Sequence, residues 1–348
     1  MYRHLLVPID GTDLSVEVIG NAVALARPLG ARITFFHAVA DTTRSLRGEA
    51  EVLRLTARDE YEYAIVGKAR ELLAKAEAAA RALGVPCDSR HTASDKPAQA
   101  IVEAARASGC DLIFMASHGH RGKLGMAFAS ETLQVLVSAG LPVLVSSTGE
   151  PAAPSRAIGI IRDEHRSLAA VMHAWMHTLA AARAAGAAAE PALMQAIVRY
   201  VQQFPVKLHH PKEEQHLFRR LRERTNSCDP ELDELERQHV RDGQLVAELA
   251  QQVQALAAAA DDADRLRTTR ALEDSVVRYA SFQWDHMGRE EGVILPAAQR
   301  WLAAEDWAAI DAAFADNRDP NFGGDTDKAY RQLFSRIVNA TRDGSAAT

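Results

Sequence analysis

The chain is poor in cysteine. Cys87, Cys110 and Cys228 are scattered through 348 residues, odd in number and without Cys-x-x-Cys spacing. That excludes a disulfide framework and a thiolate metal site, and it fits reduced thiols in a cytoplasmic protein. No apolar run is long enough to span a bilayer, and the opening residues lack the pattern of a signal peptide, so neither a membrane nor secretion is expected. A basic surplus is missing too. The formal net charge is −6, which excludes a sequence-independent grip on nucleic acid. What the chain does have is ample apolar content for packed cores and a length that implies two domains.

In the first half, strand-like and helix-like stretches alternate. Arg3 to Ile9, Arg32 to Val39, Asp111 to Ala116 and Pro142 to Ser146 are apolar and branched, and Cys87 to Thr92 is a weaker strand. A long helix is expected from about Glu49 to Leu83. This rhythm predicts a doubly wound α/β fold with a five-stranded parallel sheet covered on both faces. The first strand ends in Asp10 and the fourth runs into Ala116-Ser117-His118-Gly119. Such strand ends open a crevice where the chain order reverses.

The segment Ala116-Ser117-His118-Gly119, nine residues, then Ala129-Ser130 resembles the nucleotide loop of the universal stress protein A family. His4 to Asp10 and Leu141 to Val145 resemble that family as well. The resemblance implies ATP as a ligand, with Asp10 bonding ribose or adenine, Val39 and Ala116 beside the nucleotide, and Gly119 and Ser130 on phosphate. It also implies a homodimer paired through the last strand. Ala116 and Ala129 stand where nucleotide-binding members have glycine, and a Cβ there hinders close approach of backbone N–H groups to phosphate. The alternative for Asp10 is a cap on the following helix.

Ser146 to Ser155 is rich in Ser, Pro and Ala and breaks the periodicity on both sides. This places the nucleotide-binding domain at 1–147, a linker at 148–157 and a helical domain at 158–345. The second part reads as an up-and-down bundle of four long helices, whose interior is a usual place for metal sites. Leu168, Met172, Trp175 and Leu179 form the first stripe, and His165 extends it backward; helicity is expected from near Asp163. His239 lies on the third stripe with Leu235, Val246, Leu249, Val253 and Leu256. The fourth seam runs Leu272, Val276, Tyr279, Gln283, His286, Glu290 and Val293. A His and a Glu four residues apart are about 6 Å apart along a helix and nearly one turn around it, so both reach one centre.

The second helix, near Pro191 to Glu223, offers two registers, His209 with Glu213 or His210 with Glu214. Pro205 and Pro211 blur its phase. In the fourth helix, His286 is followed by Glu290-Glu291 and Ile294-Leu295; only the His209 register reproduces that order, with Glu213-Glu214 and Leu217-Phe218. The candidate ligands are therefore His165, His209, Glu213, His239, His286 and Glu290, with His210, Glu214, Lys212, Arg289 and Glu291 in solvent or around the site. Imidazole and carboxylate without thiolate suit iron, manganese or zinc. A ferritin-like reading on Glu213-x-x-His216 and Glu236-x-x-His239 leaves His209 and His286 without a role.

This series, with Asp163 to Arg166 and Asn317 to Gly323 before a closing helix, resembles the hemerythrin family in its HHE cation-binding branch. The resemblance implies two iron ions bridged by Glu213, Glu290 and an oxo or hydroxo group. It implies reaction with oxygen, peroxide or nitric oxide. Oxygen carriers of the family place another His one turn after the third-helix His; here that position is Gly243. The implied function is a stress-response sensor or binder. The competing function is a di-iron oxidoreductase, or an iron-handling or iron–sulfur repair enzyme.

Overall fold

The protein, seen in a computed structural model, is described over residues 1–39, 58–117, 131–147 and 155–315. By contacts the chain divides into two units, Met1–Ala153 with Trp284–Pro296, and Pro154–Gln283 with Ala297–Thr348. The proposed linker and closing helix lie largely or wholly outside the described residues.

The first unit contains β1 (His4–Pro8), β2 (Arg32–Val39), β3 (Cys87–Ala93), β4 (Leu112–Ser117) and β5 (Val143–Ser147). They form one parallel sheet in the order β3-β2-β1-β4-β5. Chain order reverses between β1 and β4, the expected doubly wound arrangement. Helices α1 (Asp13–Leu29) and α2 (Arg58–Ala82) pack together, as do α3 (Pro97–Ala107) and α4 (Glu131–Ser138). Leu5, Leu6 and Val7 in the central strand are all fully buried, as a sheet covered on both faces requires. Burial pushes the thiols of Cys87 and Cys110 up to about 11, so both stay protonated at neutral pH.

The helical unit carries α5 (Arg156–Ala184), a run α6 over 191–224, α7 (Asp229–Ala257), and α9 (Ala304–Ala315). A further run, α8, is unbroken over 262–301, so the boundary between Gln283 and Trp284 falls inside one continuous helix. Helix α5 begins at Arg156, earlier than the stripe from Asp163 suggested. The reason is distant in sequence. Asp311 of α9 accepts hydrogen bonds from Ser155 Oγ at 2.7 Å and from the Ala157 N–H at 2.8 Å, which caps the start. Ala157, Ile158 and Ile161 then bury their side chains.

Within the first unit, Trp284–Pro296 packs on α1 and α2 through two glycines. A Cβ on Gly288 would overlap the Lys75 carbonyl oxygen and come within 2.7 Å of Lys75 Cα and 2.9 Å of Ala78 Cβ. A Cβ on Gly292 would overlap Ala79 Cβ. Lys75 bonds both Glu71 (3.3 Å) and Glu291 (3.2 Å) there. Burial opposes its charge, but the pull of Glu291 and Glu71 together outweighs that and raises the ammonium above its ordinary value. Replacing Gly by Ala in an open helix gains up to about 1 kcal/mol. Gly292→Ala should instead lower the melting temperature, because overpacking costs about 1–3 kcal/mol; a raised melting temperature in a thermal scan would show that the space exists.

Candidate metal centre

Both His-x-x-x-Glu pairs meet a local widening of the helix. In α6, π turns span Pro205–His209 and Glu213–Phe218; in α8 one spans Glu290–Ile294. Proline supplies a cause. Pro205 and Pro211 lack the N–H of a regular helix, and the His209 N–H reaches back five residues to the Phe204 carbonyl at 3.1 Å. Pro296, after the third π turn, likewise cannot bond the residue four before it.

The six expected residues are brought together, and all are buried. His165 Nε2 lies 3.2 Å from His209 Nε2, and His209 Nε2 lies 3.3 Å from Glu213 Oε1. His239 Nε2 is 3.7 Å from Glu213 Oε2, and His286 Nε2 is 3.4 Å from Glu290 Oε1. Two overlapping groups result. His165, His209, Glu213 and Glu290 offer donor atoms all within 4.8 Å of one another, and so do Glu213, His239, His286 and Glu290. The two glutamates belong to both.

Carboxylates stand behind two of these rings. His209 Nδ1 is 2.6 Å from Glu164 Oε2, and His239 Nδ1 is 2.7 Å from Glu214 Oε1. A carboxylate at Nδ1 accepts a hydrogen bond from the ring N–H there and leaves Nε2 as a lone-pair donor facing inward. Glu214 thus lies around the site, as the sequence suggested, whereas the buried Glu164 was missed. Its signal was available, since it stands four residues before Leu168 on the first stripe.

Asp242 was missed as well. It lies between His239 and Val246 on the third stripe, and it is 1% exposed. Its Oδ1 accepts from Gln283 Nε2 at 2.8 Å, and the same nitrogen is 2.8 Å from the Tyr279 hydroxyl. Burial pushes the Asp242 carboxyl up to about 6, and burial and Asp242 together push the Tyr279 phenol well above its ordinary value. For His210 the sequence left two places open, in solvent or around the site. His210 is only 4% exposed, so α6 buries both neighbouring histidines instead of turning one to solvent.

Imidazoles and carboxylates in this arrangement fit divalent metal. Two buried carboxylates that converge in a dry interior pay desolvation and repel one another unless cations lie between them. The donor set, without thiolate, suits iron, manganese or zinc.

In the α/β unit, Asp10 follows β1, Val39 ends β2 and Ala116 lies in β4, all at the carboxyl ends of parallel strands. Asp10 Oδ1 accepts from the Thr12 N–H at 3.0 Å and from the Thr12 and Ser15 hydroxyls, so it also holds the turn into α1. Val39 is buried, and the Ala116 carbonyl accepts from Thr132 Oγ1 at 3.1 Å. Gly119, Ala129 and Ser130 lie outside the described residues.

Comparison with known proteins follows the same division. The universal stress protein family model matches residues 1–147, and the hemerythrin HHE cation binding domain model matches residues 156–298. Universal stress protein YxiE of Bacillus subtilis is 30% identical over 148 residues, covering 42% of this chain and 99% of that protein. A universal stress protein of Thermus aquaticus is 32% identical over 147 residues, covering 42% and 98%. A solved universal stress protein structure from Burkholderia pseudomallei is 23% identical, covers 42% of this chain and 96% of its own, and has a TM-score of 0.32. The chain belongs, through its first half, to the universal stress protein family, and its residues 156–298 match the hemerythrin HHE cation binding domain.

Proposed function

We propose that this stress-family protein holds a non-haem di-iron centre that binds or senses oxygen, peroxide or nitric oxide, and that the state of the centre is coupled to ATP binding in the other domain. His165 and His209 would hold one iron, His239 and His286 the other, and Glu213 and Glu290 would be shared. The observation that carries this reading is the pair of overlapping donor groups with both glutamates in common. Iron held there would supply a redox couple open to small oxidants and diatomic gases. Glu164 and Glu214 fix the rings of His209 and His239 in the tautomer that binding needs.

Nucleotide would enter the crevice at the carboxyl ends of β1 and β4, beside Asp10, Val39 and Ala116, with Gly119 and Ser130 completing the set. The proposed domains are 1–147 and 158–345, joined by the linker at 148–157. A route for coupling is on hand. The stretch carrying His286 and Glu290 also packs on α1 and α2 of the stress fold through Gly288 and Gly292. A shift at its ligands would therefore press on helices that follow β1 and β2. Residence in the cytoplasm fits three free cysteines.

A homodimer through β5 completes the proposal. β5 is an outer strand of the sheet, and Leu144 on it and Leu133, Leu136 and Val137 on α4 are exposed, Val137 by 81%. Apolar side chains at a sheet edge mark a pairing surface.

Four measurements test these statements. Anaerobic purification with ferrous iron should yield about two irons per chain in the parent, with Glu213→Ala losing most of the metal and His209→Ala about half, because the glutamate serves both positions; parent protein without iron would end the reading. Sustained peroxide turnover, in place of a stoichiometric reaction, would move the assignment to the enzyme class. ATP affinity should differ between oxidised and reduced protein by about 5–150-fold, and reciprocally; equal affinities would remove the coupling. Light scattering should give the parent twice its chain mass and the Val137→Glu, Leu144→Lys variant a single chain mass; a monomeric parent rules out the β5 pair.

A further inference from the structure

The reading of a two-metal centre leaves one buried imidazole without a task. His210 adjoins the expected ligand His209, and in a regular helix neighbours point about 100° apart. Here π turns on either side of His210–Lys212 change the phase, and both rings are buried. The His210 ring stacks on that of His239, with centroids 4.1 Å apart and planes 7° from parallel. One of its nitrogens lies within 4.8 Å of donor atoms of both His239 and His286. Behind it stands Asp242, with Oδ2 3.7 Å from His210 Nδ1.

That last contact repeats a pattern. His209 has Glu164 at Nδ1, His239 has Glu214 at Nδ1, and His210 has Asp242 at Nδ1. Glu164 and Glu214 accept hydrogen bonds from Nδ1–H, which leaves Nε2 as the metal donor, while Asp242 stands at ion-pair distance on the same side of the third ring. Asp242 is fixed for the purpose by Gln283. The gap on α7 points the same way. At Gly243, where the oxygen carriers have their extra histidine, a Cβ would look toward Val206 of α6, at 4.0 Å. The missing imidazole on α7 and the surplus one on α6 thus lie on facing helices.

We propose that His210 is a third imidazole ligand to the metal held by His239 and His286, supplied by α6 in place of a histidine at position 243. The inference rests on the two-metal reading. It makes the positions unequal by count. One has His210, His239, His286 and the two glutamates; the other has His165, His209 and the same glutamates. Room for an added ligand then falls on the side of His165 and His209. Asp242 acts through His210 as a positioning residue.

Cobalt(II) is a suitable probe, since both binding and ligand field can be read without turnover. In an anaerobic titration of the full chain, parent protein should take up about two equivalents. His210→Ala should keep one of them and bind the other about 10- to 100-fold more weakly or worse, with changed cobalt absorption and unchanged far-UV circular dichroism. Asp242→Asn should weaken the same equivalent, and His165→Ala the opposite one. Should His210→Ala fail to fold, cobalt-loaded parent protein still decides. Exchangeable imidazole N–H signals shifted by the metal should number five, whereas four would overturn the proposal. An isotherm and spectrum of His210→Ala identical to the parent would overturn it too. Parent protein that takes up no cobalt or iron would strike the underlying two-metal reading.

Discussion

Negative charge in a dry interior is the constraint on which the helical part depends. Glu213 and Glu290 are both about 1% exposed, and both donor groups draw on them. Isolated, each would cost several kcal/mol to bury as an ion. Surrounded by inward-facing imidazole nitrogens, they make a site whose own electrostatics call for cations. The carboxylates of Glu164 and Glu214 lie one layer further out and hold the rings in a single tautomer.

Backbone and chemistry are joined at the π turns. A strict 3.6-residue repeat puts one side chain in every three or four toward the seam. Wider turns begin or end at His209, Glu213 and Glu290. They let α6 bring His209, His210 and Glu213 inward together, which a regular helix would not do. Such turns are weaker than the α-helix and collect at functional sites. Prolines 205, 211 and 296 give local reasons for them that do not depend on any ligand.

Much of this was legible in the sequence. The five strands were found within a residue or two, because apolar runs between helical stretches leave few alternatives. The seams of α5, α7 and α8 were legible because heptad-like spacing survives in them; Leu272, Val276, Tyr279, Gln283 and Val293 are all buried. Phase in α6 was less so, since the π turns break the repeat from which phase is read, and His210 could be put either in solvent or around the site for that reason. The start of α5 escaped because its cap, Asp311, arrives from α9. Asp242 and Glu164 escaped for a different cause. A lone acid on an apolar stripe looks like an exception until the imidazole it serves is seen beside it.

The close approach at Gly288 and Gly292 bears on how this chain can be taken apart. The helix that carries His286 and Glu290 is covalently part of the helical half, yet it finds packing partners in Lys75, Ala78 and Ala79 of the stress fold. A cut of the chain near residue 150 would therefore part Trp284–Pro296 from the rest of its own unit. The excised carboxyl-terminal fragment would carry a bare glycine ridge beside its acids, with Glu291 stripped of its lysine.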